Sequence, residues 1–545
     1  MLEGCVGWPE EFARRYREKG YWEEATLFEV LSRTAALFPD KLAVVDGTRR
    51  VSYLQLQSAV LRLAAGLAKL GLRPRERVIF QLDNSLELIV TFFALCRLGV
   101  IPILALPAHR RTEIAHFALA SGAVALFIPD QVRNFDYREM AREVQPLCPN
   151  LRHVIVSGQA GADQMALTML SESKEDGQAA MPLPKPDDVA LMLLSGGTTG
   201  VPKLIARSHA DYLYGSKQSA KVAEFGTDTV FLALLPIAHN YTLGAPGVLG
   251  AIACGGTTVI SHGTAAEVVF PLIEREGVTV LSAAVPLVAK WLGSDLFGRH
   301  DLATLKVFMN GGAKLVPELR QRVEEKFNCI YQESFGTAEG LLNMTRLGDP
   351  EYVRMNSSGR PVSDGDEIKI VDASGNELPD GQPGELLVRG PYTIRGYYNG
   401  SENNQKAFTT DGFYRMGDIV SKVDGNLYLE GRIKDLINRG GEKISSEEIE
   451  NHILAHPGIE SACVVAMPDP VFGEKACAFT ILRQDSALTL EQLLAFLLTR
   501  EIARFKMPER LEVVEEFPIS PAGKILRARL REAVAEKIRQ EAGAR

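Results

Sequence analysis

Residues 195–203 read Ser-Gly-Gly-Thr-Thr-Gly-Val-Pro-Lys and follow the apolar run 189–194. Glycines let backbone N–H groups crowd around an anion, and hydroxyls and an ammonium add further donors. The stretch therefore suits a phosphate-holding loop built from Ser195, Gly196, Gly197, Thr198, Thr199, Gly200 and Lys203. It also suits a surface turn, because Gly, Ser and Thr cluster in ordinary loops. The Gly-Lys-Ser/Thr ending of the common nucleotide loop is missing, since Lys203 follows a proline and precedes Leu204.

Four further stretches bring polar chemistry into one chain: FGTAEG at 335–340, GFYRMGD at 412–418, GRIKDLINRGGEK at 431–443 and PISPAGKI at 518–525. Each offers a carboxylate or a cation beside glycine. Taken singly, Glu339, Asp418 and Lys524 are the kind of charge that a solvated surface carries.

The elements that must position these groups alternate through the first four hundred or so residues. LQSAVLRLAAGLAKLG has apolar residues at helical spacing and ERVIFQL reads as a short strand, while EVVFPLIEREG leads into VTVLSAA. Such alternation predicts α/β layers with parallel strands. The stretch 158–188, rich in Gly, Ser and acidic residues, reads as a surface excursion. From residue 360 onward Asp-Gly, Ser-Gly and Pro-Gly turns punctuate short strands, the signature of hairpins. Ser445 and Glu448 fit a capping box, Ile449 and Ile453 continue an apolar helical face, and ACVVAM reads as a strand, so a small α/β domain follows IKDLINRGG. The last twenty residues predict an amphipathic helix packed on it.

At 545 residues the chain calls for two to four structural units. Sixty basic against sixty-eight acidic residues, a formal charge of -8, argue against a general nucleic-acid surface. Leu88–Pro107 is the most apolar region, but Arg97 and Pro102 interrupt it, which predicts a helix running into a buried strand and no membrane span. The N-terminus lacks the apolar core of a secretory signal, so the expected location is cytoplasmic. Seven scattered cysteines without ligand spacing read as reduced thiols.

In this order the motifs resemble the adenylate-forming superfamily of acyl- and aryl-CoA synthetases, luciferase and the adenylation domains of nonribosomal peptide synthetases. LLSGGTTGVPKLIARSHADY, LPIAHNYTLGAPGVLG, LALPAHRR, RGPYTIRGYY and INRGGEK narrow the resemblance to the stand-alone aryl-acid AMP ligases of siderophore assembly. It implies an α/β fold: a large N-terminal core of layered α/β subdomains with a small β-barrel-like part (1–433), and a small mobile α+β C-terminal domain (434–545). The implied activity converts an aryl acid of the salicylate or dihydroxybenzoate kind, with ATP and Mg²⁺, into aryl-AMP and pyrophosphate. Transfer to the phosphopantetheine thiol of an aryl carrier protein follows; an aryl-CoA ligase using free CoA is the alternative.

Residue by residue, the resemblance gives catalytic parts to Lys524, Glu339 and His239, with Glu339 the Mg²⁺-associated carboxylate. Asp418 and Arg432 match the ribose contacts, and Met416 departs from the threonine usual before that Gly-Asp. Gly311, Gly312 and Ala313 match a wall against adenine. Lys434 matches the hinge, and Gly440, Gly441 and Lys443 match the face that serves the second half-reaction. Asn240, Tyr241, Ala245, Ser334 and Leu342 match the acid pocket, with Asn240 toward an ortho-hydroxyl. Ala245 replaces a common Ser or Cys, and Ser334 stands where Val is common; its hydroxyl serves either a polar ring substituent or its own backbone.

Overall fold

The computed structural model describes residues 2–172, 182–195, 202–500, 502–520 and 524–543. Two large sheets with parallel centres form the body. One runs, in spatial order, Arg360–Pro361, Gly340–Met344, Ile330–Thr337, Val307–Gly311, Val280–Ala283, Val230–Ala233, Thr257–Ile260, Leu42–Asp46 and Arg49–Ser52. Its central pairs are parallel and its edge pairs antiparallel. The other begins with the antiparallel hairpin Leu204–Ser208 and Val189–Leu194 and continues in parallel through Ile101–Leu104, Arg77–Phe80, Ala125–Pro129, His153–Ser157 and Met165–Ala166.

The apolar run starting at Leu88 lies where the two sheets meet. Helix Leu86–Leu98 contacts Leu42–Asp46 of one sheet and Ile101–Leu104 of the other, which explains why it is apolar on nearly every side. Gly99 closes it in the left-handed conformation and the chain enters the buried strand directly. Among the described residues no helix is long and apolar enough to cross a membrane.

The hairpin-rich part is a four-stranded antiparallel sheet, Glu367–Val371, Gly384–Arg389, Tyr414–Val423 and Asn426–Arg432. A separate small sheet follows from Leu436, built of Leu436–Arg439, Glu442–Ser445, Ile459–Asp469, Gly473–Leu482 and Arg510–Val513. Ile449 and Ile453 are buried under one of its faces. The terminal helix Arg527–Gly543 seats Leu530 and Val534 against the other.

Two local expectations change. Ser445 caps helix Ser446–Leu454 by accepting from the Glu448 N–H, but the Glu448 carboxylate turns to Lys506 instead of closing the capping box. Residues 158–172 are no mere surface excursion: helix Leu167–Ser171 buries Leu167 and Leu170 against helix Tyr53–Leu70. The approach is so close that a Cβ on Gly66 would lie 2.1 Å from the Leu170 carbonyl oxygen. Residues 173–181 lie outside the described part.

Candidate active site

Asp418 and Arg432 come from different motifs and meet because they are directly opposed across the antiparallel pair Tyr414–Val423 and Asn426–Arg432. Arg432 Nε donates to Asp418 Oδ1 at 2.9 Å. Asp418 is fully buried, and its Oδ2 has no hydrogen-bond partner among the described residues. A buried carboxylate with one free oxygen suits the paired hydroxyls of a ribose. Burial raises its pKa, with Arg432, Lys524 and Lys434 opposing. Met416, two residues earlier, packs its side chain against the main core.

Lys524 arrives from the C-terminal part and lies within electrostatic reach of Arg432, Glu339, Asp418, Lys434 and His239. Its segment is tied locally, with Ser520 N–H donating to the Lys524 carbonyl at 2.7 Å. Burial depresses its ammonium to about 8; Arg432 and Lys434 add to the shift, while Glu339 and Asp418 oppose it.

Glu339 is held on three sides. Its carbonyl accepts from the Ile394 N–H at 2.8 Å, Arg207 Nη1 donates to the preceding Ala338 carbonyl at 3.0 Å, and Tyr397 Oη donates to Oε1 at 2.9 Å. Gly340, at φ +137°, makes this approach possible, because a Cβ there would fall 2.3 Å from Thr393 Cα. The buried carboxylate, steadied by the Tyr397 hydroxyl, suits a hard, oxygen-preferring divalent ion such as Mg²⁺. The Lys203 ammonium stands 4.5 Å from the centroid of the same Tyr397 ring. Tyr397 thereby joins the carboxylate to the glycine-rich stretch.

That stretch is pinned at its base. Ser195 N–H donates to the Lys203 carbonyl at 3.0 Å, and Lys203 N–H donates to Ser195 Oγ at 2.9 Å. The Ser195 oxygen thus closes the base of the stretch as an acceptor, and its O–H is the group that can donate to an anion. Gly196, Gly197, Thr198, Thr199 and Gly200 lie outside the described residues.

The acid-binding candidates form a second cluster. His239 caps the short helix Asn240–Gly244, its Nδ1 accepting from the Tyr241 N–H at 3.2 Å. Burial first, and Lys524 second, lower its pKa to about 4, so its ring is neutral at physiological pH. Tyr212 Oη donates to Asn240 Oδ1 at 2.9 Å, which leaves the Asn240 amide N–H groups as the donors presented to a ligand. Opposite stands one face of the nine-stranded sheet. Gly311 pairs with Ser334, Ser334 with Met344 and Gly336 with Leu342, so Gly311, Ser334 and Leu342 point the same way.

The Tyr241 ring lies against Gly311, where a Cβ would come within 2.9 Å of Cε2 and Cζ. Of the three expected adenine-wall positions, Gly311 is therefore turned to the acid cluster, whereas Gly312 and Ala313 are exposed. Asn310 Nδ2 holds the Ala313 carbonyl at 2.9 Å. On the reverse face Glu333 pairs with Arg320 at 3.3 Å and accepts from Asn310 at the same distance, fixing the two strands. Ala245 is buried. Ser334 Oγ does not bond its own backbone; it and Tyr241 Oη are both buried, and the Tyr241 hydroxyl lies within reach of the Ser334 and Ser282 hydroxyls.

The hinge and second-face candidates lie in the C-terminal part. Lys434 sits in the turn Ile433–Asp435, and its carbonyl accepts from Arg531 Nη2 at 3.0 Å. Gly440 and Gly441, at φ +61° and +101°, form the two-residue connection between Leu436–Arg439 and Glu442–Ser445, a turn that glycine accommodates without strain. Lys443 pairs with Asn438 through the backbone, and its side chain lies outside the described part. Sequence reading assigned no role to Arg207, Tyr212 or Tyr397. Tyr397 stands in the quoted RGYY, but its bond to a glutamate 58 positions earlier is visible only in three dimensions.

A site that gathers a buried carboxylate–arginine pair, a second carboxylate, a lysine from the C-terminal part and the Ser195–Lys203 base of a glycine-rich stretch is that of an AMP-binding enzyme, and the chain belongs to that family. The AMP-binding enzyme model matches residues 31–398 and the model of its C-terminal domain matches 448–524. More particularly, the chain is 46% identical to the 2,3-dihydroxybenzoate-AMP ligase of Bacillus subtilis over 99% of both chains. It is 43% identical to the salicyl-AMP ligase / salicyl-S-ArCP synthetase of Mycobacterium tuberculosis, covering 96% of this chain and 93% of that one. Among solved structures, apo MbtA of Mycobacterium smegmatis superposes with a TM-score of 0.74 at 41% identity, over 97% of this chain and 98% of the other.

Proposed function

We propose that this enzyme activates a 2-hydroxyaryl carboxylic acid with ATP, forming aryl-AMP and pyrophosphate, and then passes the aryl group to the phosphopantetheine thiol of a carrier protein. The observation that carries the reading is the convergence of Lys524, Asp418–Arg432 and Glu339 beside the cluster of Asn240 and Tyr241. The two relatives whose names specify dihydroxybenzoate and salicylate support the acid class, and the Mycobacterium tuberculosis name supports a carrier as acceptor.

In the first step a carboxylate oxygen of the acid attacks the α-phosphorus of ATP and the bond to the departing pyrophosphate breaks. Negative charge from both reactants converges there, and preorganised cations offset it. Lys524 supplies an ammonium between the carboxylate and the α-phosphate. Asp418 Oδ2 accepts from the ribose hydroxyls, with Arg432 holding the other oxygen. Ser195, the glycine-rich stretch and Lys203 hold the phosphates that leave. Gly312 and Ala313 wall the adenine. Glu339 would hold Mg²⁺, which when bound would supply positive charge against the phosphates. Neutral His239 lines the entrance to the acid pocket without adding a second fixed charge there.

In the second step the thiol sulfur attacks the aryl carbonyl carbon, the bond to AMP breaks and the thiol proton leaves to solvent. We assign the core to 1–433 and a mobile domain to 434–545, rotating about Lys434 so that Gly440, Gly441 and Lys443 replace Lys524 at the site. The test is ATP–pyrophosphate exchange across benzoate, salicylate, dihydroxybenzoates and aliphatic acids, followed by transfer to holo-carrier. Exchange with hydroxylated benzoates and not with aliphatic acids is the expected result. Exchange with none of the aryl acids overturns the reading.

A further inference from the structure

Resting on that reading, one buried arginine joins the two ends of the site. Arg207 lies in strand Leu204–Ser208, within the quoted LIARSHADY, and is 3% exposed. Its Nε donates to Asp211 Oδ1 at 2.7 Å, so its charge is paired inside the protein. The other Asp211 oxygen accepts from the Ser208 N–H at 2.7 Å and from the Ser208 hydroxyl, which caps helix His209–Val222. The two remaining guanidinium nitrogens turn to backbone carbonyls 131 and 185 positions away. Nη1 donates to Ala338 at 3.0 Å and Nη2 to Tyr392 at 2.9 Å.

Each of these contacts leads to a residue of the site. Ala338 directly precedes Glu339 in the turn between Ile330–Thr337 and Gly340–Met344. Tyr392 Oη accepts from the Leu342 N–H at 3.0 Å and donates to Asp366 Oδ2 at 2.7 Å, so the same residue that Arg207 holds also fixes the acid-pocket strand. The guanidinium carbon stands 5.1 Å from the centroid of the Tyr212 ring, and Tyr212 Oη donates to Asn240 Oδ1. A planar fork of five donors serves a carboxylate, two carbonyls and an aromatic face at once. The ammonium of a lysine keeps the charge but not those directions.

We infer that Arg207 is a positioning residue for both ends of the site: it fixes the turn that carries Glu339 toward the metal and, through Tyr212, the Asn240 amide toward the acid. Metal binding and acid choice are therefore coupled through one guanidinium that touches neither ligand. An ion pair that served packing alone is replaceable by neutral side chains of similar volume without effect on either.

The experiment compares full-length wild type with Arg207→Lys and with the double variant Arg207→Met/Asp211→Asn, which removes both charges together and keeps an acceptor at the helix cap. Three quantities are measured: the dissociation constant of Mn²⁺ with α,β-methylene-ATP, whose α–β bridge adenylation cannot break; the dissociation constants of salicylate and benzoate; and Tm. Both variants are expected to weaken Mn²⁺ binding by about tenfold and to reduce the preference for salicylate over benzoate by about fivefold. Variants that change Tm but neither Mn²⁺ binding nor the acid preference show a packing role and overturn the inference, as does failure of both to fold. A shift in one binding property without the other overturns the coupling. All of these outcomes leave the proposed function standing, whereas wild-type pyrophosphate exchange with no aryl acid removes that function and the inference with it.

Discussion

The two ends of the site are built by opposite means. The end assigned to the phosphates is charged and assembled from distant parts of the chain: Lys524 from the C-terminal part, Asp418 and Arg432 from the four-stranded sheet, Glu339 from the turn between Ile330–Thr337 and Gly340–Met344. The acid end is neutral and sits on one short helix and one sheet face, backed by the buried Arg320–Glu333 pair. On the proposed function, charges that stabilise a phosphoryl transition state act on any acid, so the first end is expected to set rate. Fixed, desolvated dipoles discriminate between neighbouring hydroxyls, so on the same proposal the second end is expected to set choice.

Lys524→Ala should break the charged end most severely. Adenylation is expected to fall by about 10²–10³-fold, while transfer from preformed aryl-AMP to the carrier changes far less; single-turnover assays of the two half-reactions check this. Asp418→Asn should raise the KM for ATP by about 10–100-fold through loss of a charged hydrogen-bond acceptor, read from initial rates at saturating acid.

The third prediction follows from the sign of the Lys524 shift. Its cation is present below about pH 8 and lost above it. The kcat/KM of exchange should therefore decline through that region, by about tenfold per pH unit once past it. At saturating ATP the decline should move to higher pH, because bound phosphates favour the ammonium. The smallest effect belongs to the neutral end: Tyr212→Phe, which frees the Asn240 carbonyl oxygen, should cost about fivefold in kcat/KM for salicylate relative to benzoate, measured side by side.

The charged end was legible in sequence because each charge travels inside its own short motif, and the order of motifs brought Glu339, Asp418, Arg432 and Lys524 together on paper. The large helix–strand alternation was legible for the same reason: its signals are local. The neutral end was legible only as positions. That Asn240 is aimed by Tyr212, that Gly311 turns to Tyr241, and that the Ser334 hydroxyl does not turn back to its own backbone all depend on register and on contacts between distant segments. The packed helix Leu167–Ser171 was missed because its polar flanks dominate a composition reading.

The division of labour is tested most directly by the exchange kcat/KM for benzoate, salicylate and the dihydroxybenzoates in wild type and Asp418→Asn. The expected result is one common factor of loss, with the ranking of acids preserved. A ranking reordered by Asp418→Asn would contradict the separation of rate from choice.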